Sequence, residues 1–450
     1  MSFMQQQIAI NSPKVNIFNY SGLSSVIFKN ILYVFYNGLG NDGVWYLTFN
    51  QNTNMWSGPL SCRDHGAAHM NIAKFTSPAS VVFNGSLWLF YNGSGQNGTF
   101  WTKTDDGKWW TTIASVSESM GKKDETFASN TSPSATVFND ILYLIWNNSA
   151  STGLRYSYLT KTAGGAFGSP KDVGARGLGA LPETSSAAVA FGDSLYVFFN
   201  GVAHDGTFVA KLTQDTWSPV VPVTGPLGGN FLEKTSPAAY VSDDKQQMTL
   251  LWNGNGDDGI WYTATQDGSR WEKQVSLRNA IGGMAMMSRS SPAGINYNGI
   301  PYMFWAGLEG RVWLSQGLTF PVDGHSDLRP IFQALQAGNN FTITSNDGET
   351  IQYLLKTFNP GPNPLPGPSA SAGVSNGQQK IVQDDNWATL VNDFLGSGRS
   401  TVNSTTVLIF SLMVQGIWQE YELALNLGGE NGLRMSFANH MQPRKEKVSE

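Results

Sequence analysis

From the N-terminus to about residue 317 the chain repeats one hydrophobic–polar pattern. Short runs of β-branched and aromatic residues are separated by Gly, Asn and Asp turns. The pattern is clearest over residues 79–113. Residues 79–83 form a first β-rich run, and Asn84-Gly85 is a hairpin turn signal. Residues 87–91 form a second run, followed by a Gly/Asn loop over 92–98. Residues 100–104 make a third run, Asp105-Asp106-Gly107 a second turn, and residues 109–113 a fourth run. This order predicts four antiparallel strands per unit.

The same unit begins near Gly22, Ser77, Ser132, Ser185, Ser236 and Ser291, a period of about 54 residues. A period in this range built from short strands predicts a six-bladed β-propeller of four-stranded blades over residues 1–318. The second run ends on an aromatic, usually with Asn-Gly after it, as in Tyr36-Asn37-Gly38 and Tyr91-Asn92-Gly93. Aromatics open the third run, and Trp56, Trp109, Phe167, Trp217 and Trp271 mark the fourth, where they read as blade core. The sixth copy stops after its third run. Counting back from Gly22 places Phe3 where the missing fourth-run aromatic belongs, so residues 3–10 are expected to supply the outer strand of the last blade and close the ring.

Strand order gathers the loop between second and third strands and the lead-in to each first strand at one end of a blade. The lead-ins read Thr76-Ser77-Pro78, Thr131-Ser132-Pro133, Thr184-Ser185-Ser186, Thr235-Ser236-Pro237 and Ser290-Ser291-Pro292. Their hydroxyls either meet a ligand or cap turns around a channel. The C-terminal third, residues 319–450, reads as a small α+β domain. Helices are expected at 327–337 and 386–395, and a hairpin around Asn346-Asp347-Gly348. Residues 359–379 read as a Pro/Gly-rich loop, and β-rich runs follow at 405–414, 418–427 and 433–437.

Composition narrows the classes of function. Charged residues are 14%, against roughly 25% in an average globular protein. Net charge is −5 and no basic run interleaves with aromatics, which speaks against nucleic acid. Cys62 is the single cysteine, so an internal disulfide and a Cys-rich zinc site are excluded, and no cofactor is expected. The N-terminus shows no secretory signal, and the apolar stretch at 405–414 is too short to span a bilayer. A cytoplasmic protein, or one released without a signal peptide, is expected.

Carbohydrate recognition needs an aromatic face for the C–H side of a sugar and amide or carboxylate groups for its hydroxyls. The repeat offers both beside one loop: Asn41 and Asp42 with Trp45, Asn97 with Trp101, Asp205 with Phe208, Asp258 with Trp261, and Glu309 with Trp313. The competing reading is that Asn-Gly is turn chemistry and the aromatics are blade core. His65 and His69 have the i, i+4 spacing of some metal sites but no convincing helix.

The repeat as a whole resembles the tandem-repeat β-propeller lectins and their sialidase-fold relatives over residues 1–318. That resemblance implies glycan binding in pockets between blades, with multivalency. The third copy departs from it, with Asn148 for the loop glycine and Ser151-Thr152 for the acidic or amide residues. The segments 104–109 and 265–271 resemble Asp-box turns, which in that family are structural and lie away from the active face. Glycoside hydrolysis is the alternative, yet Arg63, Arg155, Arg289 and Arg311 do not recur with the partners it needs. A protein-interaction propeller is the third reading. The C-terminal domain is expected to serve oligomerisation or an effector role such as toxicity to a target cell.

Overall fold

The structure is a computed structural model. It describes residues 8–316 except 11–14, 19, 41, 51–54, 96–97, 124, 126, 150–152, 175–178, 182, 203–205, 224–230, 232–233, 256–258, 273, 281–283, 285, 288–289 and 308–309. Within 317–450 it describes the backbone of seven strands. The chain divides into two compact units, one of Gln6–Gln316, with Gly317–Glu450 falling in the other.

The first unit is a six-bladed propeller. Blade one comprises Leu23–Phe28, Ile31–Asn37, Val44–Asn50 and Met55–Ser61, each pairing antiparallel with the next. Blades two to five follow the same order, starting at Ala79, Ser134, Ala187 and Ala238. Second strands such as Ser86–Asn92 are buried along their whole length, because each is sandwiched between the two neighbouring blades. Third strands such as Val44–Asn50 carry half-buried positions among buried ones.

Blade six consists of Ala293–Tyr297, Ile300–Ala306 and Val312–Gln316, and its outer strand is Ile8–Ala9. Ile8 pairs with Leu314 and Ala9 with Trp313. The N-terminus therefore completes the last blade, as the truncated sixth copy requires. Phe3 lies outside the described residues.

The outer aromatics latch blade to blade. Trp56 meets Phe304 of blade six edge-on at 6.0 Å. Phe167 meets Phe90 at 6.0 Å, and Trp271 meets Phe198 at 5.7 Å, both near perpendicular. Trp217 meets Tyr156 at 5.5 Å. Each contact adds about 0.5–1.5 kcal/mol beyond area burial. In blade two the latch is not Trp109, as the repeat suggests, but Trp110. Trp110 is 4% exposed and meets Phe35 at 5.7 Å, while Trp109 is 64% exposed. The expected fourth strand over 109–113 is also displaced, to Ala114–Ser115. The cause is local: Asp106 takes the Lys108 and Trp109 N–H groups, and Trp110 N–H then donates to the His65 carbonyl at 2.7 Å.

Both Asp-box segments are turns on the hairpin end of the ring. In blade two Asp106 Oδ1 accepts from Lys108 N–H at 2.8 Å and Trp109 N–H at 2.9 Å. In blade five Asp267 accepts from Ser269 at 2.8 Å and Arg270 at 2.7 Å. The Trp109 amide, then the Lys108 amide and the Thr104 hydroxyl, hold the Asp106 carboxyl down at about 2. The fold thus favours its ionised form. That contribution is complete above the ordinary value of 3.8 and disappears as pH falls through about 2. Asp106→Asn should remove this dependence: the wild-type melting temperature should fall more steeply than the variant's between about pH 4 and pH 2.

The second unit is a seven-stranded antiparallel sheet. Its spatial order is Gln379–Val382, Ala370–Val374, Thr350–Leu355, Asn340–Thr344, Thr405–Val414, Ile417–Leu427, Leu433–His440. The stretch 359–379, expected as a loop, contains the strand Ala370–Val374. Its prolines end at Pro368, before the strand begins. The helices expected at 327–337 and 386–395 lie outside the described residues. No helix among the described residues is long and apolar enough to cross a membrane.

Candidate functional site

The loop face forms where each lead-in meets the loop of its own blade. Bridges join Ile17 to Gly38, Ile72 to Gly93, Ala180 to Gly201 and Phe231 to Gly254. Each loop is closed at its base, as by Gly38 N–H to the Gly43 carbonyl at 3.1 Å and Gly93 N–H to the Gly98 carbonyl at 2.9 Å.

The Asn of the aromatic-Asn-Gly step proves to be a clasp between blades. Asn37 Nδ2 donates to the Ala73 and Thr76 carbonyls at 2.9 and 3.1 Å. Asn92 reaches Thr131 O at 2.6 Å, Asn200 reaches Thr235 O at 3.0 Å, and Asn253 reaches Ser290 O at 3.2 Å. In blades two and four the Asn carbonyl is satisfied by Thr99 at 2.5 Å and Thr207 at 3.0 Å. Blades three and five carry Leu154 and Ile260 at that position, and the Oδ1 atoms of Asn147 and Asn253 are buried without a partner. Thr99→Val should create the same orphan in blade two and cost about 1–2 kcal/mol in urea unfolding.

The lead-in serines form a second set of inter-blade links around the axis. The hydroxyl of Ser77 accepts from Gly22 N–H at 2.6 Å, Ser132 from Ser77 at 2.7 Å, and Ser185 from Ser132 at 2.6 Å. Ser236 accepts from Ser185 and Ser291 from Ser236, both at 2.8 Å. The threonines cap the turns, Thr76 Oγ1 donating to Ala73 O at 2.7 Å and Thr131 Oγ1 to Ala128 O at 2.8 Å. These serines line an axial cavity of about 160 Å³. Of the two readings left open for the Thr-Ser-Pro steps, the hydrogen bonds favour turn capping and channel lining.

At the seam between blades six and one both links change. Ala306 stands where other blades have the clasping Asn. Gly22 stands where others have Ser, and a Cβ there would lie 2.8 Å from Ser291 Cβ and 2.8 Å from Ser77 Oγ. Ser290 Oγ donating to Ser21 O at 2.9 Å and Tyr297 OH donating to Asn30 O at 2.7 Å hold this junction instead.

The candidate contact residues separate into three groups. Asn41, Asn97, Asp205, Asp258 and Glu309 lie outside the described residues. Asp42 and Trp45 converge on Gly38, whose Cα faces Asp42 Oδ1 and the Trp45 indole so closely that a Cβ would overlap both. Asp42 Oδ1 and the indole N–H of Trp45 are buried without partners. Trp45, Phe208, Trp261 and Trp313 are half-buried at equivalent register positions, opposite Tyr36, Phe199, Trp252 and Trp305. Trp101 is not equivalent to them. Phe100 pairs with Tyr91, and Trp101 turns to the other side of the blade, where it packs on Trp88 at 4.7 Å. Blade three carries Arg155 at this position, opposite Trp146, with bonds of 2.7 and 2.6 Å to both oxygens of Glu125. The Glu125 side chain is 6% exposed, so this pair is folded into the blade junction.

An open cavity of about 420 Å³ lies between blades two and three. Its walls are the 92–98 loop of blade two and the lead-ins of both blades. Phe75 and Phe127 provide aromatic surface, and Ser94, Ser129, Asn130 and Lys74 provide polar groups. These residues were not among those the sequence pointed to. The lead-in aromatics, rather than the third-strand ones, face the space.

Elsewhere, His65 Nδ1 lies 2.7 Å from the Ser61 carbonyl and its ring rests beside Trp109. Cys62 is buried, and burial pushes its thiol pKa well up. Among the described residues no group of three or more His, Cys, Asp or Glu side chains converges as a metal site would.

This geometry is that of a six-bladed propeller with a cavity between blades two and three on its loop face. Among solved structures the chain is similar to a lectin from Aleuria aurantia, solved as a mutant in complex with Fucalpha1-6GlcNAc. The TM-score is 0.52 at 14% identity, covering 68% of this chain and 94% of that one. A Hadza microbial sialidase aligns with a TM-score of 0.46 at 10% identity, over 67% of this chain and 65% of its own. An exo-beta-1,3-galactanase from Clostridium thermocellum aligns at 0.42 and 9% identity, over 96% and 88%. At 14% identity the similarity to the Aleuria aurantia lectin speaks to the fold alone. No protein-family profile matches the sequence, and no curated protein matches it.

Proposed function

We propose that the chain is a non-enzymatic carbohydrate-binding protein that holds sugars in inter-blade cavities on the loop face. The observation that carries this reading is the cavity between blades two and three. It pairs two aromatic faces, Phe75 and Phe127, with hydroxyl, amide and ammonium groups in a volume of about 420 Å³. That size falls within the range of small-molecule pockets, about 300–1,000 Å³. An aromatic wall takes the apolar face of a pyranose, and the polar wall takes its hydroxyls. The loops of the other blades, with Asp42 and Trp45 the best-formed pair, would supply further sites and hence avidity. The C-terminal unit would then serve oligomerisation or an effector role.

A hydrolase needs two carboxyl groups across the scissile bond. Among the described residues that line the inter-blade cavity none is a carboxylate, and this supports the binding reading. A glycan array followed by calorimetry tests the proposal. Binding to at least one sugar is expected, weakened about tenfold or more by Phe127→Leu, which keeps apolar volume but removes the aromatic face. Absence of binding to every glycan would sink it, and turnover of aryl glycosides would move the protein to the hydrolase class.

A further inference from the structure

One position of the lead-in has a backbone that its residues do not suit. Tyr20, Phe75, Asn130, Glu183 and Lys234 each immediately precede the Thr or Ser of the lead-in. Each has a positive φ, at 65, 61, 56, 61 and 65°. This left-handed conformation disfavours residues with a Cβ and is the usual place for glycine. Glycine is abundant in this chain, 49 residues, yet none of the six copies uses it here; the sixth carries Arg289. The side chains are also unlike one another: two aromatics, an amide, a carboxylate and an ammonium. A purely structural repeat position would settle on one residue type, as the neighbouring serines do.

These five side chains surround one cavity of about 150 Å³. They come from five successive blades, so the cavity sits at the mouth of the axis on the loop face. One wall is apolar. Tyr20 and Phe75 are 42% and 41% exposed, with ring centroids 5.7 Å apart, and Phe18 backs Phe75 edge-on at 5.6 Å. The opposite wall is polar and fixed in place. Glu183 accepts from Asn130 Nδ2 at 3.2 Å and pairs with Lys234 Nζ at 2.6 Å. Cavities of about this volume hold a single six-membered ring such as benzene.

We propose that this axial mouth is a ligand site separate from the inter-blade cavities, taking one monosaccharide-sized polyhydroxylated ring per chain. The ring's C–H face lies on Tyr20 and Phe75, and its hydroxyls bond Asn130, Glu183 and Lys234. Side chains held at a left-handed position in five blades store backbone strain of the kind that clusters at ligand sites. The proposal rests on the carbohydrate-binding reading above; its site shares Phe75 and Asn130 with the inter-blade cavity and differs from it in three residues. Tyr20, Glu183 and Lys234 line the axial mouth and not the cavity between blades two and three.

The test uses the full chain, with methyl glycosides of neutral hexoses, 6-deoxyhexoses and N-acetylhexosamines as probes, by calorimetry and crystal soaking. In the triple variant Y20G/E183G/K234G the binding stoichiometry should fall by one site per chain, and sugar density at the axis should vanish. Its melting temperature should hold or rise, since glycine relieves the left-handed backbone. F127L should do the reverse, weakening the inter-blade site and leaving the axial one. Unchanged stoichiometry in the triple variant, or a lowered melting temperature with all sites retained, would overturn the axial site while leaving the inter-blade reading intact. A wild-type protein that binds none of the probes would overturn both.

Discussion

Trp110→Ala should destabilise the propeller by about 3–5 kcal/mol, while Trp109→Ala should change stability by no more than about 0.5 kcal/mol. The two residues are adjacent and chemically identical. Trp110 is buried between blades one and two, edge-on to Phe35 and 6.1 Å from Tyr46. Removing its indole leaves a cavity at a blade junction, where neither blade can close the gap without disturbing its own ladder. Trp109 is 64% exposed and touches little beyond His65. Urea unfolding of both variants, followed by tryptophan fluorescence, checks the contrast. Equal midpoints would show that Trp110 is not the latch.

Gly268→Ala should cost about 2–4 kcal/mol. Two effects add. The residue has φ +72°, which strains any L side chain. An added Cβ would also overlap the hydroxyl of Tyr196, on the second strand of blade four. Gly107 in blade two stands over Tyr33 of blade one in the same way. Each Asp-box turn is therefore pressed onto a tyrosine of the preceding blade. Adding Tyr196→Phe to Gly268→Ala should recover only the hydroxyl's share of the overlap, since the ring carbon Cζ would still lie 2.6 Å from the added Cβ. A thermal or urea series on the two single variants and the double measures that share. No recovery in the double would show that the hydroxyl overlap contributes nothing.

The repeat made the ring legible because strand runs and turn residues are local properties. Asn84-Gly85 and its counterparts announce hairpins whatever surrounds them. The role of the N-terminus followed from arithmetic, since five copies have a fourth strand and the sixth lacks one. Contacts between blades were less legible. Trp109 and Trp110 differ only in which one Asp106 leaves free to turn inward, and a periodic pattern does not record that. Asn37 and Asn92 read as turn residues, and the clasp they form depends on carbonyls 35 residues or more further along. Trp101 looked equivalent to Trp45 by composition, but strands alternate sides, and a shift of one residue reverses the side chain. The lead-in aromatics were visible in the sequence. The position before the lead-in Thr or Ser does not repeat one residue: it is aromatic in two copies, an amide in one, a carboxylate in one and a cation in two.

The borrowed strand at the N-terminus also has a consequence in time. Ile8 and Ala9 are made before their partners Leu314 and Trp313, which follow roughly 300 residues later. At about 5–20 residues per second that is a wait of roughly 15–60 s. Blades one to five can form during it, each meeting the previous blade through its serine and asparagine links. The ring itself stays open, with an unpaired edge at each side of the gap. The junction that closes last is the one without the Asn clasp or the serine hydroxyl. A nascent chain halted before residue 312 should therefore be a curved, sticky arc, and the cell's chaperones would meet this protein at that stage.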